Sequence, residues 1–150
     1  MPDKYWEDFD VGFSFVTPSI TVTETHVVNW AGLTMDFYPI HMDKEYAAKS
    51  PMKERLAHGP LIFGMAVGMA GLARVEGGSM IAWMGTDNMK MVAPVKIGDT
   101  ITNNVSVIER RETTKPTQGI QTWRYTITNQ RNETVMVFDM KFLMFRKGAQ

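Results

Sequence analysis

Between His58 and Arg74 the chain reads Gly59-Pro60-Leu61-Ile62-Phe63-Gly64-Met65-Ala66-Val67-Gly68-Met69-Ala70-Gly71-Leu72-Ala73, fifteen residues without one polar side chain. A surface helix carries a polar face; this one has none, so it reads as a core helix surrounded by protein on every side. It is shorter than the ~20 residues needed to cross a bilayer. Gly64, Gly68 and Gly71 each lower helix propensity by on the order of 1 kcal/mol relative to alanine. Their small size therefore has to serve a close approach, by a sheet or by a neighbouring subunit. In a segment this short, a G-x-x-x-G membrane-dimerisation face is the weaker reading.

Downstream of this helix the pattern turns strand-like. Met80 to Val92, Thr100 to Arg111, Ile120 to Gln130 and Thr134 to Phe145 are separated by Pro94, Gly98-Asp99, the Lys115 to Gly119 loop and Arg131-Asn132, all turn chemistry. Trp123, Tyr125 and Ile127 share one face of their strand, opposite Thr122, Arg124, Thr126 and Thr128. The last run is apolar on both faces and is expected to be a central strand covered on both sides. Upstream, Phe13 to Thr23 with Pro18 inside it predicts an edge strand or a strand broken by a bend. Thr23 or Thr25 can cap a helix over Glu24 to Leu33, and Asp43 a second over Lys44 to Lys49, stopped by Ser50-Pro51. The expected architecture is α+β: a long central helix wrapped by a curled antiparallel sheet. A length of 150 residues is expected to form one domain, residues 1–150, with a sizeable core.

The formal net charge is zero, with neither a basic run nor an acidic tail. That removes the electrostatic footprint of a nucleic-acid or anionic-membrane binder and points to a small-molecule partner. The absence of cysteine excludes thiolate nucleophiles, cysteine-based zinc sites and disulfides. The thirteen methionines read as adaptable core filling. The acidic amino-terminal stretch has no basic n-region or apolar h-region, so a cytoplasmic location is expected. There is no glycine-rich phosphate loop after a strand and no G-x-S-x-G elbow.

Asp36-Phe37-Tyr38-Pro39-Ile40-His41 carries the candidate chemistry. Residues five apart do not share a helix face, and Pro39 keeps a helix from running through both. A turning loop is expected, in which Asp36 and His41 converge. A carboxylate and an imidazole can hold a water between them, one accepting its proton while the other orients or returns it. Equally, Asp36 can cap a turn and His41 can be a loop residue. The start of the long helix adds a second element. With Pro60 at the first helical position, the N–H groups of Gly59, Leu61 and Ile62 are expected to lack intrahelical partners, at the positive end of the helix dipole. A carbonyl gaining negative charge would be stabilised there, and Gly59 has no side chain to keep it away. His58 reads as a structural residue at the helix entry. Asp36, His41, His58 and His26 lack a recognised metal-ligand spacing, so neither a metal nor a cofactor is expected. Lys53, Arg55, Lys90 and Lys96 read first as solvated charges.

At these residues the chain resembles the MaoC-like (R)-specific enoyl-CoA hydratases. Asp36 to His41 is similar to their D-x-N-P-x-H signature, Arg55-Leu56-Ala57-His58-Gly59 to their I-[AV]-H-G helix entry, and Ala93 to Thr100 to their P-V-x-x-G-D-[TE] turn. The resemblance implies a hot-dog fold and a homodimer with sites near the subunit interface. It implies that Asp36 and His41 hold the water added to an enoyl-CoA thioester, that the Gly59 N–H binds the thioester carbonyl, and that Tyr38 lies at the substrate. The chain departs from the family at three places: Tyr38 stands where asparagine is common, Pro60 where many members keep an N–H, and Val67 where some have serine. Two alternatives remain open, a thioesterase on the same fold and a non-catalytic acyl-thioester-binding dimer module.

Overall fold

The computed structural model describes residues 3–148. In chain order these form a 3-10 turn (Trp6–Asp8), β1 (Ser14–Val16), β2 (Ile20–Thr21), α1 (Glu24–Thr34), α2 (Pro39–Met42), α3 (Lys44–Lys49), α4 (Gly59–Ala73), β3 (Met80–Met91), β4 (Thr100–Glu112), β5 (Gln118–Thr128) and β6 (Thr134–Phe145). The main sheet is antiparallel with strand order β1-β4-β5-β6-β3, and β2 pairs separately with β4. The run through Pro18 is thus two short strands on one partner, as a bend at proline requires.

Register places the alternating residues where their polarity demands. Tyr125 lies opposite Val105 on one side and Phe138 on the other, and Trp123 opposite Val107 and Met140. This inner face packs on Leu61, Ile62, Ala66, Met69 and Ala70 of α4, forming one buried core. Asn103, buried on β4, donates from Nδ2 to the Ala66 carbonyl at 3.1 Å, a polar tie from the sheet to the middle of the helix. The outer face of β6 departs from expectation. Asp139 lies there, fully buried beneath Arg124, with Lys141 half-buried beside it, so that face is covered by an ion pair and not by a second apolar layer.

Nor is α4 enclosed on every side. Pro60, Gly64, Gly68, Gly71 and Leu72 face outward, Leu72 82% exposed. A Cβ built on Gly68 or Gly71 would meet nothing within 4 Å. The apolar helix therefore satisfies only one face within its own chain. The glycines lie on the other.

The amino end is clasped on the inner face of the sheet, where Phe9 packs edge-on to Trp123. Trp6 donates from Nε1 to the Ile120 carbonyl at 3.0 Å and lies over Gly119, with the Arg110 and Arg146 guanidinium groups 4.0 and 4.8 Å from its ring. Buried Gln121 donates to the carbonyls of both Trp6 and Phe9.

Candidate active site

Helix α1 ends at Met35, whose backbone adopts φ 65° and returns its N–H to the Ala31 carbonyl at 2.8 Å. A left-handed non-glycine residue costs on the order of 1 kcal/mol, and here it turns the chain so that Asp36 leaves the helix axis. The Asp36 N–H reaches the Thr34 hydroxyl at 3.4 Å, and its Oδ1 accepts from the Tyr38 N–H at 3.3 Å. Pro39 then opens α2, its fixed φ suiting the first helical position. The expected loop is therefore half right. Asp36 to Tyr38 is irregular, but His41 rides on a helical turn that proline starts. The extended step before that turn brings positions 36 and 41 together.

Two histidines complete the cluster. His41 donates from Nδ1 to the Leu56 carbonyl at 2.8 Å; a carbonyl only accepts, so Nδ1 carries the hydrogen and neutral Nε2 is left with its lone pair. His58 is fully buried, donates from Nε2 to the Asp36 carbonyl at 2.9 Å, and has that nitrogen 3.9 Å from Asp36 Oδ2. The two imidazoles stack with centroids 3.8 Å apart and 27° between planes. Ligand-type atoms of Asp36, His41 and His58 all lie within 4.8 Å of one another. Spacing alone did not predict this meeting, and His26 is elsewhere, bonded to Thr23 at the start of α1. Stacked rings suit a metal poorly. An ion between them would sit far out of both ring planes, whereas imidazole binds in plane at ~2.0–2.1 Å. Among the described residues His58 Nδ1 is buried without a partner, a cost of about 1–3 kcal/mol.

The helix entry differs in detail from expectation. His58 is the N-cap, Gly59 the first helical residue and Pro60 the second. The Gly59 N–H has no intrahelical acceptor, but that of Ile62 bonds to the His58 carbonyl at 3.2 Å and is not free. A Cβ on Gly59 would stand 3.4 Å from Met91 Sδ, so the end of β3 lies against Gly59, a neighbour no local sequence signal announced.

The third motif turn is the scaffold beneath. Asp99 accepts from the Lys96 N–H, Gln130 Nε2 and Arg131 Nη1; burial pushes its carboxyl up, but these donors outweigh burial and hold it below the usual range. The turn fixes Val95, whose carbonyl takes the Ala57 N–H at 2.8 Å, while Lys96 bridges Leu56. So Asp99 secures Leu56 and Ala57, Leu56 orients His41, and His58, following Ala57, holds Asp36. Tyr38 contributes its backbone; its exposed ring packs edge-on to Tyr46, away from a direct part in the cluster. Val67 lines a mostly apolar cavity of about 100 Å³ with Phe15, Met80, Trp123 and Phe142, and Glu76 at its wall. Arg55 pairs with Glu24 and Lys96 with Glu54; among the described residues Lys53 and Lys90 pair with no carboxylate.

A helix laid on an antiparallel sheet, with Asp36, His41 and His58 clustered beside its start, defines a hot-dog protein. Residues 9–129 match the family described as MaoC like domain, and the chain belongs to that family of (R)-hydratases and dehydratases. It is 36% identical over 137 residues to protein MaoC of Klebsiella aerogenes, covering 85% of this chain but 40% of that protein. It is 35% identical over 103 residues to an (R)-specific enoyl-CoA hydratase of Rhodospirillum rubrum, covering 69% of each. Among solved structures, a monoamine oxidase regulatory protein from Archaeoglobus fulgius superposes with a TM-score of 0.90 at 32% identity, covering 95% of both chains. The chain thus spans less than half of the Klebsiella protein and about two thirds of the hydratase.

Proposed function

We propose that the chain is a hydro-lyase that adds water to C2=C3 of a trans-2-enoyl-CoA and, in reverse, dehydrates an (R)-3-hydroxyacyl-CoA. The observation that carries this reading is the Asp36–His41 pair, with His41 Nδ1 committed to a carbonyl and Nε2 open, beside the unsatisfied Gly59 N–H. A water between the two side chains gives a proton to this pair while its oxygen bonds to C3. The C2=C3 π electrons move toward C2 and the thioester oxygen, which accepts from Gly59. The proton is then returned to C2. General acid–base work of this kind contributes ~10²–10⁴-fold and one oxyanion donor ~10²–10³-fold. The name of the Rhodospirillum relative supports the same reaction class. No metal or cofactor is needed for these steps.

The substrate reading is an acyl thioester. The cavity beside Val67 supports an apolar tail, and it lies about 12 Å along α4 from Gly59 at 1.5 Å per residue. The working form is a homodimer. β3 is an edge strand of twelve residues with Trp83, Met84 and Met89 about half exposed, a surface that in isolation invites pairing. The outward glycine face of α4, and Leu33, Met35, Phe37 and Tyr38 around Asp36, are open as well, which supports a second copy walling the site.

The test follows loss of the conjugated double bond and release of free thiol separately, on crotonyl-CoA and on longer and branched enoyl-CoAs. Hydration without thiol supports the proposal, and thiol release moves the reading to a thioesterase. Silence in both channels with ligand-induced stabilisation would indicate a binding module.

A further inference from the structure

The long helix and the Asp36 loop meet at one side chain. We propose that His58 is the positioning residue of the site, setting Asp36 through its Nε2–H and His41 through the face of its ring. The inference rests on the proposed roles of Asp36 and His41 and adds what holds them in register.

Three observations carry it. The ring makes both contacts at once: 2.9 Å from Nε2 to the Asp36 carbonyl, and a stacked separation of 3.8 Å from His41. The same residue is the N-cap of α4, its carbonyl taking the Ile62 N–H at 3.2 Å, so the residue that aligns the acid and the base is bonded directly to Gly59. A shift of His58 therefore moves all three groups of the site together. Finally, the ring is fully buried with Nδ1 unpartnered. An aromatic hydrocarbon could fill that space and would remove the unpartnered Nδ1. What it could not supply is the N–H to Asp36, and that contact is what the histidine is kept for.

Two variants separate the two contacts. His58→Gln offers an amide N–H near the Nε2 position without an aromatic face; His58→Phe offers the face without the N–H. Both are purified, checked for cooperative thermal unfolding, and assayed for hydration of crotonyl-CoA across pH. His58→Phe is expected to melt close to the parent, because removal of the stranded nitrogen offsets the lost hydrogen bond to Asp36, yet to lose roughly 10–100-fold in kcat with a much smaller change in KM, the scale of a catalytic group displaced by about 1 Å. His58→Gln is expected to regain most of that kcat. The limbs of the kcat/KM profile, which report the free enzyme's acid and base, should move in His58→Phe and return toward the parent in His58→Gln. Parent-like kcat and profile in His58→Phe would overturn the proposal, and so would losses in both variants that merely track lost melting temperature.

A readout independent of turnover separates this inference from the reaction assigned above. In nitrogen-15 spectra of the imidazoles, His41 should keep its Nδ1–H form in the parent and in His58→Gln, and its resonances should shift in His58→Phe. If the parent hydrates nothing but these shifts appear, the reaction fails and the positioning stands. If His41 is unmoved in His58→Phe, the positioning fails whatever the parent does.

Discussion

Gly119→Ala is a demanding test of the fold, because the structure fixes what the added methyl meets. Its Cβ would lie 2.6 Å from Cδ1, Cε2 and Nε1 of Trp6, well inside van der Waals contact. The indole cannot slide away cheaply. Its Nε1–H is bonded to the Ile120 carbonyl, two guanidinium groups cover its ring, and it is 5% exposed. Expelling it would forfeit about 200 Å² of burial, at ~25 cal/mol/Å² about 5 kcal/mol as an upper limit, and about 1 kcal/mol for the hydrogen bond. Partial relaxation brings the expected loss to about 3–5 kcal/mol, a large share of the ~5–15 kcal/mol typical of a folded domain. Urea titration reads this directly: at a slope of about 2 kcal/mol/M the midpoint should fall by roughly 2 M. Trp6→Ala should cost a similar amount, and the double variant little more than either, since the methyl has room once the indole is gone. A loss under about 1 kcal/mol in Gly119→Ala, or full additivity in the double variant, would refute the clasp.

Other consequences are equally specific. Gly59→Ala should fold normally, because the methyl meets only the flexible end of Met91, yet lose roughly 10–100-fold in kcat/KM through obstruction of the carbonyl; parent-like turnover would argue against a substrate at Gly59. Asp139 is held below the usual carboxylate range by the Arg124 guanidinium, against burial and with help from the Asn88 amide. A depressed folded value means this stabilisation is present above the unfolded value near ~4 and lost as pH falls below it. Asp139→Asn should therefore cost about 2 kcal/mol at pH 7 and show a gap from the parent that closes toward pH 2, read by urea titration; a gap constant with pH would contradict the pairing. Met84→Lys with Met89→Lys on β3 should lower the sedimenting mass from dimer to monomer, and an unchanged mass would place the interface elsewhere.

The sequence was most legible where one local period dominates. The unbroken apolar run located α4 within a residue of its observed ends, and the turn chemistry at Arg131-Asn132 helped bound β6 at Thr134–Phe145. Asp43 was readable as a cap because the bond is local, its Oδ1 accepting from Glu45 and Tyr46. The errors share another cause. The lack of a polar side chain implied burial on every side, whereas the glycine face lies open; the glycines themselves had pointed to a close approach by a sheet or a neighbouring subunit. Two apolar faces on β6 hid Asp139, whose partner lies on a neighbouring strand. The convergence of Asp36 and His41 was legible because Pro39 limits the path between them, and His58 was read as a structural residue at a helix entry, where it caps α4 and donates to the Asp36 carbonyl. Its stacking on His41 depends on the left-handed turn at Met35, which no residue preference announces. The Trp6–Gly119 clasp joins residues so far apart in sequence that local pattern carries no trace of it.

The central claim is that Asp36 and His41 activate water for addition to an enoyl thioester. The most direct measurement is hydration of a panel of trans-2-enoyl-CoAs by the parent, Asp36→Asn and His41→Ala, following conjugation and free thiol in parallel. Loss of conjugation without thiol in the parent, falling by at least ~10²-fold in each folded variant, is the predicted result. Thiol release by the parent, or hydration that survives either substitution, would contradict the account.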